Sequence, residues 1–334
     1  MSLLYVEENG AVVGINGGTL TVKKQTGEVL KIPKETVDGI SLFGNISMTT
    51  QCTRYCLERG IRVSYFSSSG SYSGFLHSPN YINVKRLRAQ MKASENPDFC
   101  MYIGKNIIES KINNQIVLAK RYLRTSGINK DVQLNQMINS KNAINYCSSP
   151  EQIMGYEGIA SRNYFDILAA VINPTFAFSG RNRRPPKDPF NSLISLGYSI
   201  LTNEICGELE NRGLNPYIGI LHQDKEKHPT LASDMLECWR PIIIDSLVMN
   251  IIQRNEIDAK QFSISKENGG CYLTGDGLKK YLIKLEDKMR VTVKYFVGYE
   301  IEATYRKLIW HQAEKLAIAI DNNDPALYTT IVAR

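Results

Sequence analysis

The sequence predicts an α+β chain of two domains, a small N-terminal β-rich domain followed by a larger all-α C-terminal domain. Three observations predict it. Short strand-like runs separated by glycine turns recur up to about residue 78. A basic, helix-prone junction follows, and from about Pro97 onward apolar residues recur at helical spacing. The expected boundaries are 1–78 for the β-rich domain, 79–95 for a linker helix and 96–334 for the helical domain. A chain of 334 residues is long enough to build a core in each.

The expected strands are Leu4–Val6, Val12–Ile15, Leu20–Val22, Val29–Ile32 and Ile40–Phe43, with turns at Gly17-Gly18, Gly27 and Gly39. One helix interrupts them: Thr49 or Thr50 caps Gln51–Arg59, and Gly60 stops it. A strand at Ile61–Phe66 and a return at Gly74–Leu76 complete the region. After the junction, helices are expected at Phe99–Tyr122, Ile153–Ile172, Ser192–Arg212, Leu231–Gln253, Leu278–Lys284 and Val297–Ile320.

Bulk properties narrow the function classes only slightly. A net charge of +7 fits an anionic partner without requiring one. The first ten residues carry Glu7 and Glu8 and no basic run, so no signal peptide is read. The apolar stretch around Pro241–Ile252 is broken by Asp245 and Ser246 and is too short to span a bilayer. Cys52 and Cys56 stand four apart, but no second CxxC or HxxxH completes a zinc site, and the seven cysteines read as free thiols. The expectation is a cytoplasmic protein with no membrane partner.

Chemistry concentrates in three places. On a helix, Glu157 shares its face with Ile153, Ala160, Ser161, Tyr164 and Leu168, so its carboxylate points at a core and needs a cation. That cation is either a metal or a basic side chain. Flanking Gly155 and Gly158 cost ~1 kcal/mol each relative to alanine, which close packing or a partner's approach would justify. His222 ends the apolar run Pro216–Leu221 and reads as a core or cap residue or as a ligand. Asp234 and Glu237 are three apart and share a helix face, with Arg240 a further three along as a possible ion-pair partner of Glu237. Carboxylates with one imidazole suit a hard divalent cation.

Between the first two lies Arg181-Asn-Arg-Arg-Pro-Pro-Lys-Asp-Pro189. Its prolines disfavour a helix, and its planar guanidinium groups suit bidentate phosphate contacts or a plain basic surface loop. There is no HExxH helix, no GxxxxGK[ST] loop, no GxSxG elbow and no ExxH pair.

At these residues the chain resembles the CRISPR-associated spacer integrase family, the metal-dependent DNA endonucleases and integrases of CRISPR adaptation. The resemblance runs through Lys85-Arg-Leu-Arg-Ala-Gln90, Gly155-Tyr-Glu-Gly158, Arg183-Arg-Pro-Pro-Lys-Asp-Pro-Phe-Asn-Ser-Leu193, Gly219-Ile-Leu-His222 and Asp234-Met-Leu-Glu-Cys-Trp-Arg-Pro241. Cys238-Trp239 stands where the family more often has Pro-Phe. The resemblance implies that the larger domain is catalytic, with Glu157, His222 and Glu237 as metal ligands and Asp234 as a supporting acid. It implies Mg²⁺ or Mn²⁺, and DNA contacts at Arg162, Asn163, Arg181, Arg183, Arg184 and Lys187. The implied reaction is transesterification, in which a DNA fragment's 3′-hydroxyl attacks a phosphodiester of a CRISPR repeat. The implied assembly is a homodimer through the β-rich domain, with a small ferredoxin-like adaptation protein and double-stranded DNA. Two other readings stand beside it: a non-catalytic DNA-binding scaffold and a branched-DNA repair nuclease.

Overall fold

The computed structural model describes residues 3–76, 78, 82–182, 185–294, 296–297 and 302–334. Eight strands and one α-helix occupy its first part: β1 (Leu3–Val6), β2 (Val12–Asn16), β3 (Thr19–Lys23), β4 (Val29–Pro33), β5 (Gly39–Phe43), β6 (Ser47–Met48), α1 (Thr50–Arg59), β7 (Arg62–Phe66) and β8 (Tyr72–Leu76). They form two four-stranded sheets in the orders β1-β5-β7-β8 and β4-β3-β2-β6. In the first, β1, β5 and β7 run parallel and β8 returns antiparallel. Alternate residues of β3, Leu20 and Val22, are buried beside Val13, Val63, Cys52 and Cys56, so the pleat and one face of α1 build a shared core. The Thr49 hydroxyl accepts from the Cys52 amide at 3.3 Å, and Gly60 closes α1 in the left-handed region (φ 65°). Both ends of α1 thus fall where the sequence places them; β6, only two residues long, was not expected.

The rest is helical: α2 (Val84–Ser94), α3 (Pro97–Ser126), α4 (Asp131–Ala143), α5 (Pro150–Val171), α6 (Pro189–Glu210), α7 (Thr230–Trp239), α8 (Ser246–Gln253), α9 (Asp276–Arg290) and α10 (Tyr305–Asn322). A few two- and three-residue strands decorate it, among them Phe262–Ile264 against Cys271–Leu273. The expected fold class holds, with three differences in its elements. Helix α4 escapes the sequence pattern because its periodicity is poor: only Met137 and Ser140 are buried, and Val132 is exposed. The expected helix Leu231–Gln253 is divided by a π-helical turn at Arg240–Asp245. Pro241 has no N–H to bond back along the helix, and the widened turn absorbs that loss. The expected helix Val297–Ile320 starts only at Tyr305, where Thr304 caps the Lys307 amide at 3.2 Å. Val297 belongs to a short strand instead, and 298–301 lie outside the described residues.

The strand-rich region is fastened to the helices through Arg62. Its guanidinium pairs with Glu210, donates to Asn203 Oδ1 at 2.9 Å and covers the Phe75 ring at 3.7 Å. The junction helix α2 is fastened as well. Arg86 pairs with Asp321, and Gln90 exchanges two hydrogen bonds of 2.8 Å with the Asn215 backbone. No helix among the described residues is long and apolar enough to cross a membrane.

Candidate active site

Helices α3, α5 and α7 meet along one line, and each contributes a charge to it. In α3, Lys111 lies on a stripe of buried residues, Gly104, Ile107, Ile108, Gln115 and Leu118, so its ammonium points into the bundle. In α5, capped by Ser149, buried Ile153, Ala160, Tyr164 and Leu168 orient the helix and carry Glu157 to the same place. In α7, every residue from Thr230 to Trp239 is buried, Glu237 included. The Lys111 Nζ stands 2.5 Å from Glu157 Oε1 and 2.6 Å from Glu237 Oε2. The other oxygen of Glu237 takes Arg240 Nη2 at 3.0 Å. Ser161 donates to Glu157 Oε1 at 2.7 Å, one helical turn along.

His222 lies on the loop between α6 and α7, near enough to Glu237 and Lys111 for their charges to interact, and Asp234 shapes that loop. The Asp234 carboxylate is fully buried. Its Oδ2 accepts from the amides of Ile220 and Leu221, both at 2.9 Å, and its Oδ1 accepts from the His222 amide at 3.3 Å. The same Oδ1 holds His222 Nδ1 at 2.6 Å. Four contacts from one carboxylate fold three consecutive residues around it and fix the imidazole, leaving Nε2 as the nitrogen that can act as a ligand. Gly219 is required here, since a Cβ would meet the His222 carbonyl oxygen at 2.8 Å. Asp234 and Glu237 share a face as expected but have separate tasks: Asp234 is committed to protein donors and Glu237 to cations.

The charge states follow from these neighbours. Burial pushes Glu157 up, but Lys111 and the Ser161 hydroxyl outweigh it and hold the carboxyl below its ordinary value. For Glu237 burial is again opposed by Arg240 and Lys111, which bring it down to about 2. The hydrogen bond to Asp234 raises His222 above its ordinary value, against the effect of burial.

A cleft of about 540 Å³ opens beside Glu157, and Lys111, Arg162, Phe165, Arg181 and Arg240 line it. Arg162 is exposed there, whereas Asn163 turns its amide back to the Ile159 carbonyl at 2.9 Å and stays out of the lining. Arg181 pairs with the Asn191 side chain and lies 5.5 Å from the ring centres of Phe165 and Tyr198. Lys187 is exposed, its amide bonded to Asn182. Arg183 and Arg184 lie outside the described residues. Gly155 and Gly158 are exposed and a Cβ at either would touch nothing, so packing within the chain does not explain them. A second cleft of about 750 Å³ adjoins the first, and Arg181, Tyr198 and Arg240 line both.

Lys111 is the buried charge at this site that the sequence did not single out. Its signal was present: a lysine inside a run of isoleucines at helical spacing has to be paired. Both ion pairs weighed for the glutamates exist, Glu237 with Arg240 and Glu157 with a basic side chain.

The site is thus a helical bundle that brings two carboxylates to one cation position, beside a cleft lined by arginine. The family described as "CRISPR associated protein Cas1" matches residues 4–287. A CRISPR-associated endonuclease Cas1 of Mycobacterium tuberculosis is 33% identical over 326 residues, covering 98% of this chain and 96% of its own length. The structure of a Cas6-RT-Cas1–Cas2 complex superposes with a TM-score of 0.84 at 26% identity, covering 98% of this chain and 36% of that one. A casposase bound to integration product has the same fold, with a TM-score of 0.83 at 22% identity over 97% of this chain and 92% of its own. The chain belongs to the Cas1 family of CRISPR-associated proteins. Its curated members are endonucleases, and it is an enzyme of the same kind.

Membership implies a divalent-metal requirement. Among the described residues no three His, Cys, Asp or Glu side chains gather closely enough to hold an ion as they stand. The donor types nevertheless fit. Glu157 and Glu237 converge on one cation position, where the Lys111 ammonium meets one oxygen of each. The Lys111 ammonium fills that cation position.

Proposed function

We propose that this enzyme inserts short DNA fragments into a CRISPR array as new spacers. What carries the reading is the convergence of Glu157 and Glu237, from α5 and α7, on one buried cation position beside an arginine-lined cleft. Glu157, His222 and Glu237 are the proposed ligands of a Mg²⁺ or Mn²⁺ ion, which when bound supplies Lewis-acid activation of the scissile phosphate. Asp234 fixes the His222 ring through Nδ1 and so selects Nε2 as the ligating nitrogen. Arg240 keeps Glu237 ionised.

In the reaction, the 3′-oxygen of the fragment bonds to an array phosphorus and the bond to the array's own 3′-oxygen breaks. The proton of the attacking hydroxyl ends on the leaving oxygen. One phosphodiester is exchanged for another, so no nucleotide cofactor is consumed. Arg162, Arg181 and Lys187, with Arg183 and Arg184 of the same segment, are the proposed holders of the DNA backbone; Asn163 is a weaker fit because its amide serves its own helix.

The proposed organisation is a dimerisation domain at 1–78, a linker helix at 79–95 and a catalytic domain at 96–334. A homodimer working in the cytoplasm with a small ferredoxin-like adaptation protein completes it. The Cas2 named in the neighbouring complex supports the choice of a small protein partner.

Joining of a 3′-hydroxyl duplex into a repeat-bearing plasmid, with Mn²⁺ and the small partner present, tests the assignment. His222→Ala and Glu237→Ala are each expected to lower joining by ~100-fold or more. Joining at the parent rate by either variant would refute it.

A further inference from the structure

Lys111 holds the position that the metal needs. Its side chain is 8% exposed and that of Glu237 5%, so neither charge is dispersed into water. The four charges of the site cancel: Glu157 and Glu237 against Lys111 and Arg240. Mg²⁺ binds its oxygen ligands at about 2.0–2.1 Å. The Lys111 Nζ is 2.5 and 2.6 Å from one oxygen of each glutamate, so an ion on those oxygens would overlap it. The ammonium must therefore withdraw before an ion can enter. Withdrawal leaves a cation without an anion, in a cleft that then carries two surplus positive charges. A phosphodiester in the cleft supplies the missing anion, and the four-carbon stem of lysine lets the ammonium follow it.

We propose that Lys111 is an internal counter-ion that the divalent ion must displace, so that metal ion and phosphodiester enter this site together. The proposal rests on the reading that Glu157, His222 and Glu237 hold the ion. It makes Lys111 a positioning residue whose effect is on metal binding, and coupling of this kind is reciprocal between the two ligands.

Mn²⁺ binding to the full chain, followed by electron paramagnetic resonance with and without a short DNA duplex and corrected for the duplex alone, tests it. In the parent, duplex should tighten Mn²⁺ about tenfold or more, a typical coupling. Lys111→Met should bind Mn²⁺ about tenfold tighter than the parent without DNA, and duplex should then add less than about threefold. Lys111→Arg, which keeps the charge, should behave as the parent does. Lys111→Gln is made beside Lys111→Met, so that a folding defect in one leaves the comparison standing. Equal or weaker Mn²⁺ binding by the neutral variants without DNA would overturn the proposal. Glu237→Gln separates the two levels: parent-like Mn²⁺ affinity there would instead sink the assignment of the ligands.

Discussion

Glu237 and Asp245 stand on one helical run, Glu237 ahead of the π-helical turn and Asp245 as its last residue, and both are buried. Their surroundings are opposite. Glu237 has a cation on each oxygen, Lys111 on one and Arg240 on the other. Asp245 has a tyrosine hydroxyl on each, Tyr164 at 2.8 Å and Tyr198 at 2.6 Å. Burial pushes both carboxyls up, but the cations bring Glu237 down to about 2, whereas the hydroxyls leave Asp245 raised to about 6. A buried acid acquires its character from the charge of its partners more than from its depth. One end of this run stays an anion down to low pH, whereas the other takes up a proton as pH falls through about 6.

The largest expected break in that contrast comes from deleting Glu237. Glu237→Ala takes the carboxylate from Arg240 and leaves Lys111 with Glu157 alone, and losing one partner of a buried pair costs about 3–5 kcal/mol. Urea unfolding of the metal-free protein measures it, and adding Lys111→Met should recover part of the loss. Asp245 should act with the other sign. Its folded pKa lies above the unfolded value, so the folded state holds its proton longer. Its contribution to stability therefore falls as pH rises from about 4 through about 6, by up to about 3 kcal/mol. In Asp245→Asn that slope should vanish from unfolding free energies measured across the window; an unchanged slope would show that another group titrates there. The smallest effect is expected at Ser161. Ser161→Ala removes one donor from Glu157 and should cost about 1 kcal/mol, read as a small shift in the urea midpoint.

Much of this contrast was legible in sequence on the Glu237 side and little of it on the Asp245 side. Glu237 and Arg240 are three residues apart, and helix geometry alone brings them together. Glu157 advertised itself as a carboxylate on an apolar stripe, and Asp234 as a second acid on the Glu237 face. The tightest contacts were hidden, because Lys111 meets both glutamates from a distant helix and no spacing rule reaches that far. Asp245 was visible only as an interruption in an apolar stretch, with nothing local to announce Tyr164 or Tyr198. The fold shows the same division. Thr49 and Gly60 mark α1 by short-range chemistry, whereas the π turn depends on how a helix already packed on both sides accommodates Pro241.

Arg181, Tyr198 and Arg240 wall both clefts at once, and Tyr198 also bonds to Asp245. The two chambers therefore share a partition and are not independent. A small molecule wedged into the larger chamber against Tyr198 would press on the guanidinium group that holds Glu237. A compound in the larger chamber would thus meet Arg240 while touching neither glutamate.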